Sequence, residues 1–387
     1  MKISVSVFFG GRSVEHEVSV ISAMQAVAAI DKNKYDVVPV YITKDCEYYT
    51  GERFGDIESY KDIPALLQSG VQVSLIRAGG GAALVPRRRK LFKGNDEIHL
   101  DVAFPVVHGT NTEDGTLQGL FESVGLPYTG CDILSSAVCM DKAVAKHLLR
   151  AHGLPVLPDE TLDAAVYNKD PEAALEKLAQ APGYPMVIKP VNLGSSVGIS
   201  RAADRESLRA ALDTAFLYAP RILAERAVAP LREINCAVLG DRNDARASVC
   251  EEPAGQDEIL SYADKYQSGS SGKKAGMTSL KRRLPAELPE ALAGQLQDTA
   301  VKAFQALGCA GVVRIDFLLE NGVFYINELN TIPGSLAFYL WEASGTSFAA
   351  LTEELIRLAF ARKRNRDGLT FTFASNILNT QSWGGKK

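Results

Sequence analysis

Two short segments of this chain carry residue types that handle phosphate and metal ions. The first, IKPVNLGSSVGIS at 188–200, delivers Lys189 from a strand into a Gly-Ser-Ser-x-Gly turn. Glycines at 194 and 198 let the backbone approach a ligand closely, and successive N–H groups with the Ser195 and Ser196 hydroxyls can cradle phosphate oxygens. The lysine precedes the glycines, so this is not a Walker A loop, and a plain hairpin turn is the competing reading. The second segment, RIDFLLENGVFYINELN at 314–330, puts Asp316 on one strand of a hairpin and Glu328 and Asn330 on the next. Alternation sets Glu328 and Asn330 on one face, and pairing across the turn at 320–322 brings Asp316 alongside. Two carboxylates and an amide suit Mg²⁺ shared with substrate phosphates. Arg314 shares that face and can meet an oxyanion or a transferring phosphoryl group, with a salt bridge to Glu328 as the alternative. A phosphate cradle and a metal face more than a hundred residues apart imply two domains clamping a nucleotide.

The elements that position these groups follow from periodicity. Residues 2–9 read as a strand, broken by Gly10-Gly11, then helical spacing runs from Glu15 to Ile30 and a strand from Tyr35 to Ile42. This opening resembles a doubly wound sheet, but its glycine pattern is GGxSxE and not GxGxxG, which argues against a nicotinamide-dependent oxidoreductase. Lys44 to Asn95 reads as irregular, with Arg87-Arg88-Arg89-Lys90 a solvated rim. Strand Val102–Val107 leads into His108, the one histidine worth following. His16, His99, His147 and His152 read as structural residues on surface helices or strand edges. Further helices are expected at 115–124, 142–151, 205–217, 287–307 and 347–362, and strands at 186–189, 198–201, 221–225, 233–239, 247–252, 311–319 and 323–328. The Ser-, Gly- and Lys-rich stretch 267–284 reads as a lid loop, with a disordered segment as the alternative, and a basic tail ends the chain. Three domains are expected, at 1–130, 131–228 and 229–387.

The chain has 387 residues, 46% of them apolar and 23% charged, and a net charge of -4. That length exceeds one ordinary core. The charge excludes the basic face a nucleic-acid binder needs. No stretch approaches the ~20 apolar residues of a membrane span. A cytoplasmic protein acting on small molecules is expected. The six cysteines lie far apart, with no CxxC pair or metal-ligand spacing, and read as reduced, partly buried thiols.

Taken in order, FFGGRSVEHEVS, HGTNTEDGTLQG, LPYTGCD, SSAVCMDK, VIKPVNLGSSVG, the DKY of SYADKY, RIDF and NELNTIPG resemble the D-alanine–D-alanine ligase family. The resemblance covers residues 3 to about 360. It implies the ATP-grasp fold, with a doubly wound N-terminal α/β domain and two α+β domains clamping ATP. It implies ligation of two D-alanines through an acyl phosphate for peptidoglycan synthesis, with two Mg²⁺ (or Mn²⁺) ions on Asp316, Glu328 and Asn330. Lys142 and Lys189 fall to the ATP phosphates, Glu225 to the adenine, Glu233 to the ribose, and Ser196 and Lys265 to the bound nucleotide. Glu15 falls to the first substrate's ammonium, joined by Ser195 and Tyr266, and Arg314 with the Gly334 N–H to the oxyanion. A homodimer is implied as well. Thr112 stands where the family has glycine. Tyr339 stands near a family serine beside the second substrate, leaving D-serine, D-lactate or another acceptor as alternatives. A non-catalytic nucleotide-binding regulator would require these lysines and carboxylates to be lost, and they are present.

Overall fold

The structure, a computed structural model, describes residues 2–87, 97–194, 196–253 and 282–373. Its first unit comprises β1 (Ile3–Gly10), α1 (His16–Ala29), β2 (Tyr35–Ile42), β3 (Tyr48–Thr50), β4 (Val71–Ala78), β5 (Gly81–Pro86), β6 (Ile98–Leu100), β7 (Val102–Val107) and α2 (Thr116–Val124). The sheet order is β6-β5-β4-β3-β2-β1-β7. Only β2, β1 and β7 run parallel; β3 to β6 extend them as an antiparallel meander. The central strand β1 has a parallel partner on each edge and is buried from Val5 to Gly10, so Val7, Phe8 and Phe9 are apolar in succession and the buried Ser6 hydroxyl donates to the Val102 carbonyl at 3.1 Å. Ser19 ties the strand ends together: its hydroxyl accepts from the Gly10 N–H at 2.7 Å and donates to the Val106 carbonyl at 2.6 Å.

The stretch expected to be irregular, 44–95, therefore supplies three strands and a short helix at Ile63–Ser69. Its strands β4 and β5 lie toward the sheet's edge; β4 mixes exposed, half-buried and buried positions and β5 buries Ala82, Ala83 and Leu84 in succession, so no clean alternation marks either. Gly79 and Gly80, both at positive φ, turn one into the other. Arg88 to Lys90 lie outside the described residues. His16, expected on the surface, is buried between the Gly11 carbonyl and the Tyr41 hydroxyl, 2.7 and 2.9 Å away.

Helices α3 (Ile133–Met140) and α4 (Lys142–Ala151) lead into a second unit of β8 (Asp159–Asp163), β9 (Met186–Pro190), β10 (Ser200–Ala202), α5 (Arg205–Ala215) and β11 (Arg221–Arg226). Asp141 starts α4 by accepting from the Ala143 and Val144 N–H groups, the usual way of satisfying orphan donors at a helix N-terminus. The sheet, ordered β10-β9-β11-β8, closes its own small core around Ile188, Leu212 and Ile222. The third unit contains β12 (Arg232–Gly240), β13 (Ala245–Pro253), β14 (Arg282–Arg283), α6 (Glu290–Ala306), β15 (Gly311–Glu320), β16 (Val323–Asn330) and α7 (Phe348–Asp367). Its sheet runs β14-β13-β12-β15-β16. Leu351, Leu355 and Ile356 of α7 pack into the same core as Val5, Phe104 and Val106, so the end of the described chain closes on the first sheet.

The stretch expected to be a lid, 267–284, is thus shorter at its end: Arg282 and Arg283 form an edge strand paired with Pro253 and Glu252. Residues 267–281 and the basic tail lie outside the described residues. Among the described residues no helix is long and apolar enough to cross a membrane. Cys131, Cys139, Cys236, Cys250 and Cys309 are buried thiols and Cys46 is exposed.

Candidate active site

The two chemistry-bearing segments face each other across the second and third units. On β15 and β16, Asp316 stands directly opposite Glu328, and Arg314 opposite Asn330. That register depends on an irregularity the turn did not announce. Counting back from the pair Glu320–Val323, Asp316 would meet Asn327, but the ladder shifts by one between Asp316 and Phe317. Asn327 is the additional residue, and its side-chain oxygen accepts from Lys189 at 2.8 Å. The bulge therefore aims both carboxylates at one spot.

Arg314 pairs with Asp316 through two hydrogen bonds of 2.6 and 2.7 Å, so its ion-pair partner is Asp316 where Glu328 was the alternative. Burial opposes the guanidinium charge, but Asp316 outweighs it and raises the Arg314 pKa. Asn330 donates to Asp316 at 3.0 Å through its amide nitrogen. Glu328 meets Lys142 at 3.0 Å, and the same ammonium donates to the Leu193 carbonyl at 2.7 Å. Two carboxylates and an amide oxygen are hard donors, fewer than an octahedral ion takes. Among the described residues no group of three or more His, Cys, Asp or Glu side chains could hold a metal by itself. The set fits Mg²⁺ that completes its shell with substrate phosphates and water.

Lys189, delivered by β9, donates to Glu225 at 2.6 Å. Lys146, one turn beyond Lys142 on α4, pairs with the other oxygen of Glu225. Burial penalises this carboxylate, yet the two lysines hold its pKa down to about 2. Lys146 was not singled out from the sequence, although its i,i+4 relation to Lys142 puts both on one helix face. Glu225 anchors Lys189 from within the wall of a cavity of about 600 Å³ that Ser196 and Glu233 also line, a size suited to a nucleotide.

A smaller cavity of about 120 Å³ adjoins it and shares Lys142, Gly194, Glu233, Asp316 and Glu328. Glu15, Arg314 and Gly334 line this one. A Cβ built at Gly194 would lie 2.8 Å from a Glu15 carboxylate oxygen, so the glycine-serine loop that follows Lys189 comes close to Glu15. Ser195, Lys265 and Tyr266 lie outside the described residues.

The turn bearing Gly334 is clamped from the first unit. Glu113 accepts from the Ile332 N–H at 2.9 Å, the Thr331 hydroxyl at 3.1 Å and the Gly109 N–H at 3.1 Å. Burial and then the Glu15 charge raise the Glu113 pKa to about 7. His108 holds the other side of the same residue, its Nδ1 donating to the Ile332 carbonyl at 2.9 Å. A carbonyl only accepts, so this bond fixes the tautomer, and burial keeps the imidazole neutral by lowering its pKa. Beyond Gly334, Ser335, Leu336 and Ala337 all adopt positive φ near 50°, an uncommon run for non-glycine residues. Such strain persists only where surrounding contacts enforce it, as the bond from the Ser335 N–H to the Ser22 hydroxyl does at 2.9 Å. Thr112 is buried, and its hydroxyl returns to the His108 and Gly109 carbonyls. Glu113, Ser22 and the pair Glu251–Arg282 were not found from the sequence, because their partners are distant in the chain.

This arrangement has counterparts. Residues 4–131 match a family model described as D-ala D-ala ligase N-terminus, and residues 148–357 match one described as D-ala D-ala ligase C-terminus. A D-alanine–D-alanine ligase of Thermosipho melanesiensis is 36% identical over 97% of this chain and 98% of its own. One from Shouchella clausii is 41% identical over 93% and 95%. Among solved structures, the D-alanine-D-alanine ligase from Coxiella burnetii superposes with a TM-score of 0.78 at 30% identity, covering 95% of this chain and 96% of that one. The VanG D-Ala:D-Ser ligase from Enterococcus faecalis gives 0.75 at 32%, covering 93% and 100%. Both family models and relatives matched over nearly the whole length at these identities settle the kinship: the chain belongs to the D-alanine–D-alanine ligase family.

Proposed function

We propose that this chain activates the carboxylate of one D-alanine as an acyl phosphate, at the expense of ATP, and joins it to the amine of a second, forming a dipeptide for cell-wall precursor synthesis. The observation that carries this reading is the shared wall of the two cavities, where Lys142, Asp316 and Glu328 separate a nucleotide-sized space from the small one lined by Glu15 and Arg314.

A carboxylate is a poor acyl donor until one oxygen becomes a good leaving group, and phosphorylation by ATP provides that. On the family pattern Lys142 and Lys189 neutralise phosphate charge, the Gly-Ser-Ser-x-Gly motif at 194–198 supplies N–H donors for the same oxygens, and Glu233 reaches the ribose. Mg²⁺ bound by Asp316, Glu328 and Asn330 would spread the charge of the transferring phosphoryl group. Glu15 receives the first substrate's ammonium, with Ser195 and Tyr266 completing that network. When the second amine attacks the acyl carbon, Arg314 and the Gly334 N–H meet the oxyanion, and phosphate leaves with the carboxylate oxygen it gained. Water must be kept out or the acyl phosphate hydrolyses, a task that falls to the 267–281 segment acting as a lid. The reading carries with it two metal ions, tolerance of Mn²⁺, a cytoplasmic homodimer and the domain division at about 130 and 228.

The likeness to a D-Ala:D-Ser ligase favours a second reading, the same chemistry with D-serine as acceptor. Competition between D-alanine, D-serine and D-lactate at neutral pH, with products separated by mass, distinguishes the two. D-alanyl-D-alanine is expected to dominate. Predominant D-alanyl-D-serine would correct the acceptor, and predominant D-alanyl-D-lactate would contradict an amine acceptor.

A further inference from the structure

At the end of the small cavity near Pro253, a largely buried cation has one nitrogen to spare among the described residues. Arg282, on the two-residue edge strand β14, lines this cavity with Arg314 and Glu251. Its Nη1 donates to the Glu251 carboxylate at 2.9 Å, and its guanidinium carbon lies 3.9 Å above the Tyr339 ring centroid. Among the described residues, its Nη2 is buried with no hydrogen-bond partner. An unpaired donor on a buried charged group is costly, so a guanidinium held in this state points to a ligand that completes it.

The surroundings fix what that ligand carries. Glu251 is already engaged three times: by Arg282, by the Tyr339 hydroxyl at 2.8 Å and by the Asn235 amide at 3.1 Å. Asp316 is engaged by Arg314. The unspent capacity at this end of the cavity is cationic donor capacity, whereas Glu15 presents carboxylate at its own part of the wall. Tyr339 donates its hydroxyl to Glu251 and offers its ring face to the guanidinium, so it serves as a support for Arg282. Phe338 and Trp341 do not line the cavity: Phe338 stacks on Phe348 at 4.5 Å, and Trp341 is buried against Arg246.

Resting on the ligase reading, we infer that Arg282, braced by Glu251 and Tyr339, binds the carboxylate of the acceptor amino acid and sets the requirement for an acidic acceptor. A hydroxyl on the 334–341 segment is then not needed for this task. A planar guanidinium already held on one edge can give its remaining N–H groups to a carboxylate in a fixed direction, which orients the acceptor's amine.

The test offers D-alanine and D-alaninamide together as acceptors and reads the ratio of the two dipeptides by mass. The wild type is expected to favour the carboxylate form strongly. Arg282→Gln keeps a donor for Glu251 but removes the charge. It is expected to lower that preference by about tenfold or more and to raise the acceptor KM, with the donor-site and ATP KM values within about threefold. The double variant Arg282→Met with Glu251→Gln strands no charge and is expected to do the same, whereas Arg282→Lys retains most of the preference. A purely structural role would lower stability and all rates together and leave the ratio unchanged. An unchanged ratio in both charge-free variants overturns the assignment while dipeptide formation persists; absence of dipeptide from the wild type overturns the ligase reading beneath it.

Discussion

Glu328→Gln is expected to lower turnover by about a thousandfold or more while shifting the melting temperature by only a few degrees. The amide keeps the size of the side chain and one acceptor oxygen, so β16 still pairs with β15. What it loses is the charge that faces Lys142 at 3.0 Å and that stands in register with Asp316. With a single remaining carboxylate already bound to Arg314, the strand pair has too little negative charge to draw a divalent ion to the phosphates. Phosphate release at saturating ATP and Mg²⁺, with circular dichroism on the same sample, measures both effects. Turnover within about tenfold of wild type would defeat the metal assignment.

The largest effect on stability is expected at Glu225. Its side chain is 1% exposed and is shared by Lys146 and Lys189. Glu225→Gln leaves two buried ammonium groups without their counter-charge, which costs on the order of 3–5 kcal/mol at pH 7. The pH dependence has a definite sign. The folded pKa of about 2 lies below the ordinary 4.5, so the carboxylate's contribution is fully present above about pH 4.5 and is lost as the pH falls toward 2. The gap between wild type and variant is therefore widest at neutral pH and narrows through the acid range. Urea denaturation at pH 7 and at several points below pH 4.5 tests this, and a difference under about 1 kcal/mol at pH 7 contradicts it.

How much of this was legible in the sequence depended on distance along the chain. Strands Tyr35–Ile42 and Val102–Val107 and helix Lys142–Ala151 have the boundaries their patterns predicted, because local periodicity and the Asp141 cap decide them. The hairpin carrying Asp316 and Glu328 was readable for the same reason, since its turn at 320–322 joins adjacent strands. The bulge at Asn327 was not, because nothing in NEL distinguishes two residues opposing one from a regular ladder. The residues between 44 and 95 failed as a pattern because strands near a sheet edge, with mixed exposure, have no single apolar face to display.

The pocket behind Tyr339 was illegible for a different reason. As a sequence position, Tyr339 reads as bulk placed beside a substrate. Its hydroxyl actually finds Glu251, 88 residues earlier, and its ring finds Arg282. Neither partner is marked by a motif, and a cation held by a carboxylate and a ring becomes visible only when three distant segments are folded together. Lys146 is the opposite case. It was passed over in the sequence although a local signal was available, its i,i+4 spacing from Lys142 on one face of α4, and the buried carboxylate of Glu225 supplies the reason for a second lysine there.

Transfer of a labelled oxygen tests the central claim most directly. D-alanine carrying ¹⁸O in its carboxylate, incubated with the protein, ATP and Mg²⁺, should yield inorganic phosphate containing one ¹⁸O per dipeptide, with ADP as the other product. The label moves because the carboxylate oxygen that takes the γ-phosphoryl group leaves with it when the second amine attacks. Unlabelled phosphate, or AMP in place of ADP, would contradict the acyl-phosphate route through Lys142, Arg314 and the Asp316–Glu328 pair.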